Sequence, residues 1–264
     1  MRNATEPAAA AAAQDAPRAA ASVVLLRDGP QGLEVLLLRR AGRSRDLGGV
    51  WVFPGGKVDE ADAGPEAAAW LGQPAAGLVA RLGEPQLSPA QAQALFVAAA
   101  RELREEAGVA LASAAALQPW TRWITPRNPP VGTQRFDTRF FLAQLPAGAE
   151  VRPDPFEISE ARWITPRQAL LQAWEGALTL IPPQLMGLAH LSRHASVASA
   201  WAEAAQRPPP CIEPHLFEHE GQRAMCYPGD ALHPVRERAL PGPTRLKLAG
   251  GRFVPFGGLQ EWWT

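Results

Sequence analysis

Cysteine is nearly absent: the 264 residues hold two, Cys211 and Cys226. Two thiols cannot build a disulfide framework or a cysteine-rich zinc site, so a reducing cytoplasm is the expected setting. Net charge is lacking as well, because 26 basic and 26 acidic side chains cancel. That argues against a broad cationic surface, so neither nucleic acid nor an anionic membrane is an expected partner, although a local basic pocket is compatible. No apolar run approaches the roughly 18 residues that would span a bilayer. The opening MRNATEPAAAAAAQDAPRAAA carries Glu6, Asp15 and two prolines among its alanines. It has neither the bulky apolar centre of a secretory signal nor the acid-poor composition of a mitochondrial one. Residues 1–20 are therefore expected to be a disordered tail, and 21–264 a single domain.

What is present is a series of short apolar runs followed by helical patterns. ASVVLLRD and LEVLLLRR, separated by the turn-rich GPQG, predict two strands in a hairpin. VWVFP predicts a third, stopped by Pro54 and two glycines. Residues 64–88 are rich in Ala, Gly and Pro and read as a loop with one short helix near 66–82. Ser88, Pro89 and Gln91 form a capping-box signature, and Phe96, Ala100, Leu103 and Ala107 then fall on one helical stripe. With Gly108 as the stop, a helix over 89–107 follows. Further strands are expected in WTRWITP, RFDTRFFLAQL and EISEARWITP, and helices at 166–175 and about 183–205. RWITPR occurs at 122–127 and again at 162–167; two strands that each end at a Thr-Pro turn account for it. Residues 206–264 alternate apolar runs with Pro-Gly turns and read as a hairpin extension. The order of elements implies an α/β (α+β) sandwich, a mixed sheet covered by helices.

The 89–107 helix ends in AARELREEAGV. Glu102, Glu105 and Glu106 are three and four residues apart and converge on one face. Acids near a helix C-terminus also oppose the macrodipole. A hard divalent cation would relieve both costs, since it prefers carboxylate oxygens; a solvated, charge-laced helix end is the alternative. Arg101, four residues before Glu105, can hold one carboxylate in place.

Taken together, GGK and RELREEAGV resemble the Nudix box. The second half agrees at Arg101, Glu102, Leu103, Glu105, Glu106, Gly108 and Val109, and the first half supplies Gly56, with Asp62 where glutamate is usual. The compact pattern has 13 residues between that glycine and that arginine; here there are 44, so residues 62–88 are an insertion within the box. The resemblance implies the Nudix fold and hydrolysis of a nucleoside diphosphate linked to another group, with Mg²⁺ or Mn²⁺ as cofactor. It implies Glu102, Glu105 and Glu106 as metal ligands with the Gly56 carbonyl, and Glu105 and Glu102 as catalytic residues. Arg101 and Asp62 take orienting roles, and the first-half carboxylate stays open among Asp59, Glu60 and Asp62.

LLLRRAGRSRDLGGVWVFPGG resembles the signature that precedes the box in coenzyme A diphosphatases, with Arg40, Arg45, Phe53, Pro54, Gly55 and Gly56 in register and Leu38 replacing a threonine. Two arginines beside a phosphate-cleaving turn suit coenzyme A, whose 3′-phosphate needs a cationic partner. RFDTRFFLAQLP, IPPQL and YPGD resemble the acyl-CoA diphosphatase branch, which also carries a long insertion. Substrate contacts are accordingly expected from Arg40, Arg45, Phe53, Gly55, Arg127 and Arg135, with Asp137 nearby. The expected products are 3′,5′-ADP and (acyl-)4′-phosphopantetheine. NADH, ADP-ribose or a capped RNA end are the alternative substrates, and a non-catalytic nucleotide-binding module is the alternative class. The oligomeric state stays open between monomer and homodimer, and the insertion between lid, pocket wall and dimer contact. His190/His194 and His215/His219 share i, i+4 spacing but lack the neighbouring glutamate of a zincin helix, so no metal is expected there. The nine tryptophans read as core.

Overall fold

The structure, a computed structural model, describes residues 16–42, 48–130 and 134–264. Residues 1–15 of the expected tail lie outside the described residues, and the rest of it does not stay a tail. Strand β1 (Arg18–Gly29) already begins at Arg18, because the Arg18–Ala20 backbone pairs with β6 (Phe136–Gln144) in parallel register.

β1 turns through Pro30 and Gln31 into β2 (Gly32–Arg40), with Gly29 opposite Gly32. The two strands pair only near that turn. Further along, the segment that begins at Trp51 fills the space between them. Its β3 (Trp51–Val52) pairs with Leu38 and Arg39 of β2, and its β4 (Gly55–Lys57) pairs with Ala20–Ser22 of β1. The main-chain carbonyl of Pro54 accepts from the Val23 amide at 2.8 Å and from the Ser22 hydroxyl at 2.8 Å. The glycine turn is thus locked against β1. Adding β5 (Gln118–Ile124), β7 (Ile158–Ile164) and β8 (Cys211–Ile212) gives a mixed sheet of order β3-β2-β1-β6-β5-β8, with β4 on β1 and β7 on β2.

Both faces of this sheet are covered, which explains the unbroken VVLL and VLLL runs. Along β1, Ala21, Val23 and Leu25 face one core while Val24 and Leu26 face the other. Two short helices, α1 (Pro65–Ala68) and α2 (Ala76–Leu82), lead to the long α3 (Pro89–Ala107). α3 covers the first face through Phe96, Leu103 and Ala107; Ala100, the fourth residue of the expected stripe, is only half-buried. Its ends form as the sequence predicts: Ser88 Oγ accepts from the Gln91 amide, Gln91 Oε1 accepts from the Ser88 amide, and Gly108 adopts φ +70°. The second face carries α4 (Pro166–Glu175), α5 (Pro182–Leu191) and α6 (Val197–Ala205). The helix expected over 183–205 is in fact two, broken at 192–196, where Ser196 caps the next helix by accepting from the Ser199 amide. The repeated RWITPR ends β5 and β7, but only the second copy opens a helix, with Thr165 as the cap of α4.

The insertion is folded into the body. Leu71, Leu78 and Leu82 join the core under α3. Glu84 accepts two hydrogen bonds from Arg139 of β6, at 2.9 and 2.6 Å, and pairs with Arg122 of β5 at 2.9 Å. The C-terminal extension forms a second sheet of order β12-β11-β10-β9: β9 (His215–His219), β10 (Gln222–Cys226), β11 (Arg245–Ala249) and β12 (Arg252–Pro255). Met225 and Phe253 of this sheet enter the second core. Among the described residues no helix is long and apolar enough to cross a membrane.

Candidate active site

The C-terminal turns of α3 meet β4 at the wedge between β1 and β2, which reunites the two halves of the split motif. Glu106 is buried, and its Oε2 accepts from the Gly55 amide at 2.9 Å. Gly56 lies against Glu102 so closely that a Cβ there would be 2.4 Å from Glu102 Oε1. Only glycine permits this approach of backbone and carboxylate.

Arg101 organises the acids around it. Its Nε and Nη2 reach the buried Asp62 carboxylate at 3.0 and 3.1 Å, Nη1 reaches Glu102 at 2.8 Å and Glu105 at 3.0 Å, and Nη2 donates to the Lys57 carbonyl at 2.9 Å. Asp62 also accepts from the Asp59 amide at 2.8 Å. Asp62 therefore faces Arg101, Asp59 approaches the same guanidinium at 3.5 Å, and Glu60 is exposed. The hydrogen bond to Asp62, more than any other contact, raises the Arg101 pKa.

Burial pushes the Glu106 carboxyl up to about 7, against the Gly55 hydrogen bond that lowers it and with the Glu102 charge adding to the rise. Burial also raises Glu102, while Arg101 pulls it back. Two further carboxylates stand near. The segment after β6 crosses the end of α3, where Arg152 and Asp154 amides bond to the Ala107 and Glu106 carbonyls at 2.8 and 3.3 Å. This brings Asp154 and Glu157 to the site, and the Glu157 charge bears on both Glu102 and Glu106. Nothing in the local sequence marks either residue, because they arrive by capping a helix about 50 positions upstream.

A cleft of about 840 Å³ opens from this cluster. Its charged end holds Arg40, Lys57, Asp59, Glu102, Glu105, Glu106, Asp154 and Glu157. Its other wall is apolar and aromatic, with Phe53, Trp123, Phe136, Phe140, Pro182, Met225 and Phe253. Of the expected substrate residues, Arg40, Phe53 and Gly55 line it, as does the expected metal ligand Gly56, and the Arg40 charge acts on Glu106. Arg45 lies outside the described residues. Arg127 and Arg135 do not line the cleft. Arg135 instead donates to the Thr125 carbonyl at 3.0 Å and pairs with Glu213 at 3.3 Å. Asp137 is engaged with Arg122 and Arg139.

An all-oxygen donor set with a buried, hard-to-ionise carboxylate suits a hard divalent cation. In this geometry Arg101 Nη1 gathers Glu102 and Glu105 while Glu106 turns to the Gly55 amide, and among the described residues the three do not close into a three-ligand cluster.

The NUDIX domain profile matches residues 16–70 and the NUDT19 Nudix domain profile matches residues 111–191. The chain belongs to the Nudix hydrolase family. The two Nudix matches flank residues 71–110, which contain most of the insertion and the glutamate helix. Putative nudix hydrolase 7 of Caenorhabditis elegans is 28% identical over 244 residues, covering 88% of this chain and 79% of that protein. Acyl-coenzyme A diphosphatase NUDT19 of Homo sapiens is 35% identical over 83 residues, 31% of this chain and 22% of that protein. The Xenopus laevis protein of the same name is 31% identical over 123 residues, 45% of this chain and 32% of that protein. The chain thus matches less than half the length of these two. The crystal structure of a NUDIX hydrolase from Alicyclobacillus acidocaldarius superposes with a TM-score of 0.56 at 27% identity, covering 71% of this chain and 96% of that one. Nudix hydrolases generally use a divalent metal.

Proposed function

We propose that the protein is a Mg²⁺- or Mn²⁺-dependent diphosphatase acting on coenzyme A or acyl-CoA, with 3′,5′-ADP and (acyl-)4′-phosphopantetheine as products. The observation that carries this reading is one cleft with two unlike ends. Acids, Arg40 and a glycine turn meet at one end, and an apolar, aromatic wall stands at the other. A diphosphate joining a nucleotide to an apolar tail has the same division. The relatives named acyl-coenzyme A diphosphatase support the choice of tail.

Bound divalent cations would offset the phosphate charge and acidify a coordinated water. Glu102, Glu105 and Glu106 would hold them together with the Gly56 carbonyl. Arg101 and Asp62 keep those carboxylates oriented. Arg40 is assigned to phosphate oxygens, and Phe53 to the base or pantetheine chain passing between the two ends. Glu105, exposed and bonded to Arg101, is assigned to take the proton of the attacking water. The water oxygen bonds to phosphorus, the bridging P–O bond breaks, and the departing phosphate keeps the electron pair.

The test is turnover with Mg²⁺ on a panel of coenzyme A, acetyl-CoA, a long-chain acyl-CoA, NADH and ADP-ribose. Coenzyme A species should be preferred, and preference for NADH over all of them would overturn the substrate assignment. Glu105→Gln and Glu106→Gln should each lower kcat by about 10²-fold or more while the protein stays folded. Unchanged turnover in both would remove the catalytic reading.

A further inference from the structure

His190 and His194 lie one helical turn apart at the end of α5, and the fold brings Glu203 of α6 between them. Glu203 Oε2 is 2.7 Å from His190 Nε2 and 2.8 Å from His194 Nε2. One donor atom from each of the three residues fits within a span of 4.8 Å. None of the three lines the active-site cleft.

We propose that His190, His194 and Glu203 form a binding site for a zinc-like transition-metal ion, separate from the oxygen-rich acidic cluster and independent of the function assigned to the cleft. Two imidazole nitrogens and a carboxylate oxygen suit a borderline ion of the Zn²⁺ type, whereas Mg²⁺ prefers oxygen alone. Bonds of about 2.0–2.1 Å in a tetrahedral site set ligand atoms about 3.4 Å apart, so the two contacts to Glu203 need to lengthen by less than about 1 Å. A water can complete the coordination from the solvent side, where Glu203 is partly exposed.

Neighbouring side chains back all three residues, an aromatic ring for His190 and polar groups for His194 and Glu203. The His190 ring stacks on Trp120 with centroids 5.4 Å apart. His194 Nδ1 is 2.8 Å from the Ser199 hydroxyl. Glu203 Oε1 lies 3.3 Å from Arg207 Nε. His190 Nδ1 is buried with no hydrogen-bond partner among the described residues, so Nε2 carries the ring's polar contact. The bound ion would pin α6 to the end of α5, the helix whose first turn supplies Pro182, Pro183 and Gln184 to the cleft.

The experiment is a zinc titration of tag-free, chelator-stripped full-length protein against a chromophoric competitor. The expected result is one equivalent bound with sub-micromolar affinity. His194→Ala and Glu203→Gln should each weaken it at least about tenfold, while Glu106→Gln leaves it unchanged. Circular dichroism checks that the variants fold. Co²⁺ loaded into the unaltered protein gives a second readout that needs no variant: tetrahedral visible bands without a thiolate charge-transfer band. Zinc binding weaker than about 10 µM, binding that survives both substitutions, or a thiolate band would each overturn the proposal.

Discussion

Gly55 and Gly56 are adjacent, yet the same added methyl group would do different things at each. At Gly55 it would be 2.6 Å from the Ala21 carbonyl oxygen and 2.7 Å from Ser22 Cα, both main-chain atoms held in β1. Gly55→Ala is expected to force β4 off β1 and destabilise the fold by about 1–3 kcal/mol, the range for overpacking. At Gly56 the obstacle is the Glu102 carboxylate, a side-chain tip that can swing aside. Gly56→Ala should cost less than about 1 kcal/mol yet lower activity at least about tenfold, because Glu102 is displaced. Thermal melts and turnover on the two variants check the contrast. Glu106 supplies a pH signature. Its folded value is about 7 against an ordinary 4.5, so the folded chain favours the protonated form. The stability it contributes is complete below about 4.5 and is lost as pH rises through about 7. In chelator, the melting temperature of the unaltered protein should fall relative to Glu106→Gln between those values. Parallel pH profiles for the two proteins would contradict this.

Among the elements, the insertion and α3 show which local signals suffice. α3 forms where the sequence places it because cap, stripe and stop are all short-range: Ser88, Gln91 and Gly108 satisfy main-chain groups within four residues. The break at 192–196 is not legible in the same way. Ser196 caps α6, but serine also occurs inside helices, and the apolar pattern runs past the break. The place of residues 62–88 in the fold is set by contacts 29 to 55 positions away. Trp70 donates to the Leu111 carbonyl at 2.8 Å, Gln93 donates to the Gly64 carbonyl at 2.8 Å, and Glu84 is clasped by Arg139. No residue from 62 to 88 lines the cleft. Glu84→Ala should remove one of the two carboxylates that Arg122 and Arg139 share, leaving Asp137, and destabilise by about 1–3 kcal/mol. Denaturant unfolding measures that loss, and KM should stay within about twofold.

Across the whole molecule, the C-terminal sheet completes the cleft begun by the Nudix core. Met225 and Phe253 reach it from β10 and β12, although the Pro-Gly turns of that region suggest only hairpins. Phe253→Leu keeps the wall apolar and is expected to raise KM for acyl-CoA several-fold with kcat within about twofold, the pattern of lost uniform binding. A steady-state comparison of coenzyme A with a long-chain acyl-CoA reads this, and equal change in kcat would contradict it.

The amino-acid sequence alone determined the family, the mixed sheet between helices, and the glutamates of α3 with their glycine turn. Each of these rests on residue types at fixed short spacing, and such spacing dictates local geometry. Only the tertiary structure decided that Asp62 serves Arg101, that Asp154 and Glu157 join the acids, that Arg127 and Arg135 stand outside the cleft, and that Glu203 meets His190 and His194. Those pairings connect residues distant in the chain. They depend on how the helices pack on the sheet, which no local pattern encodes.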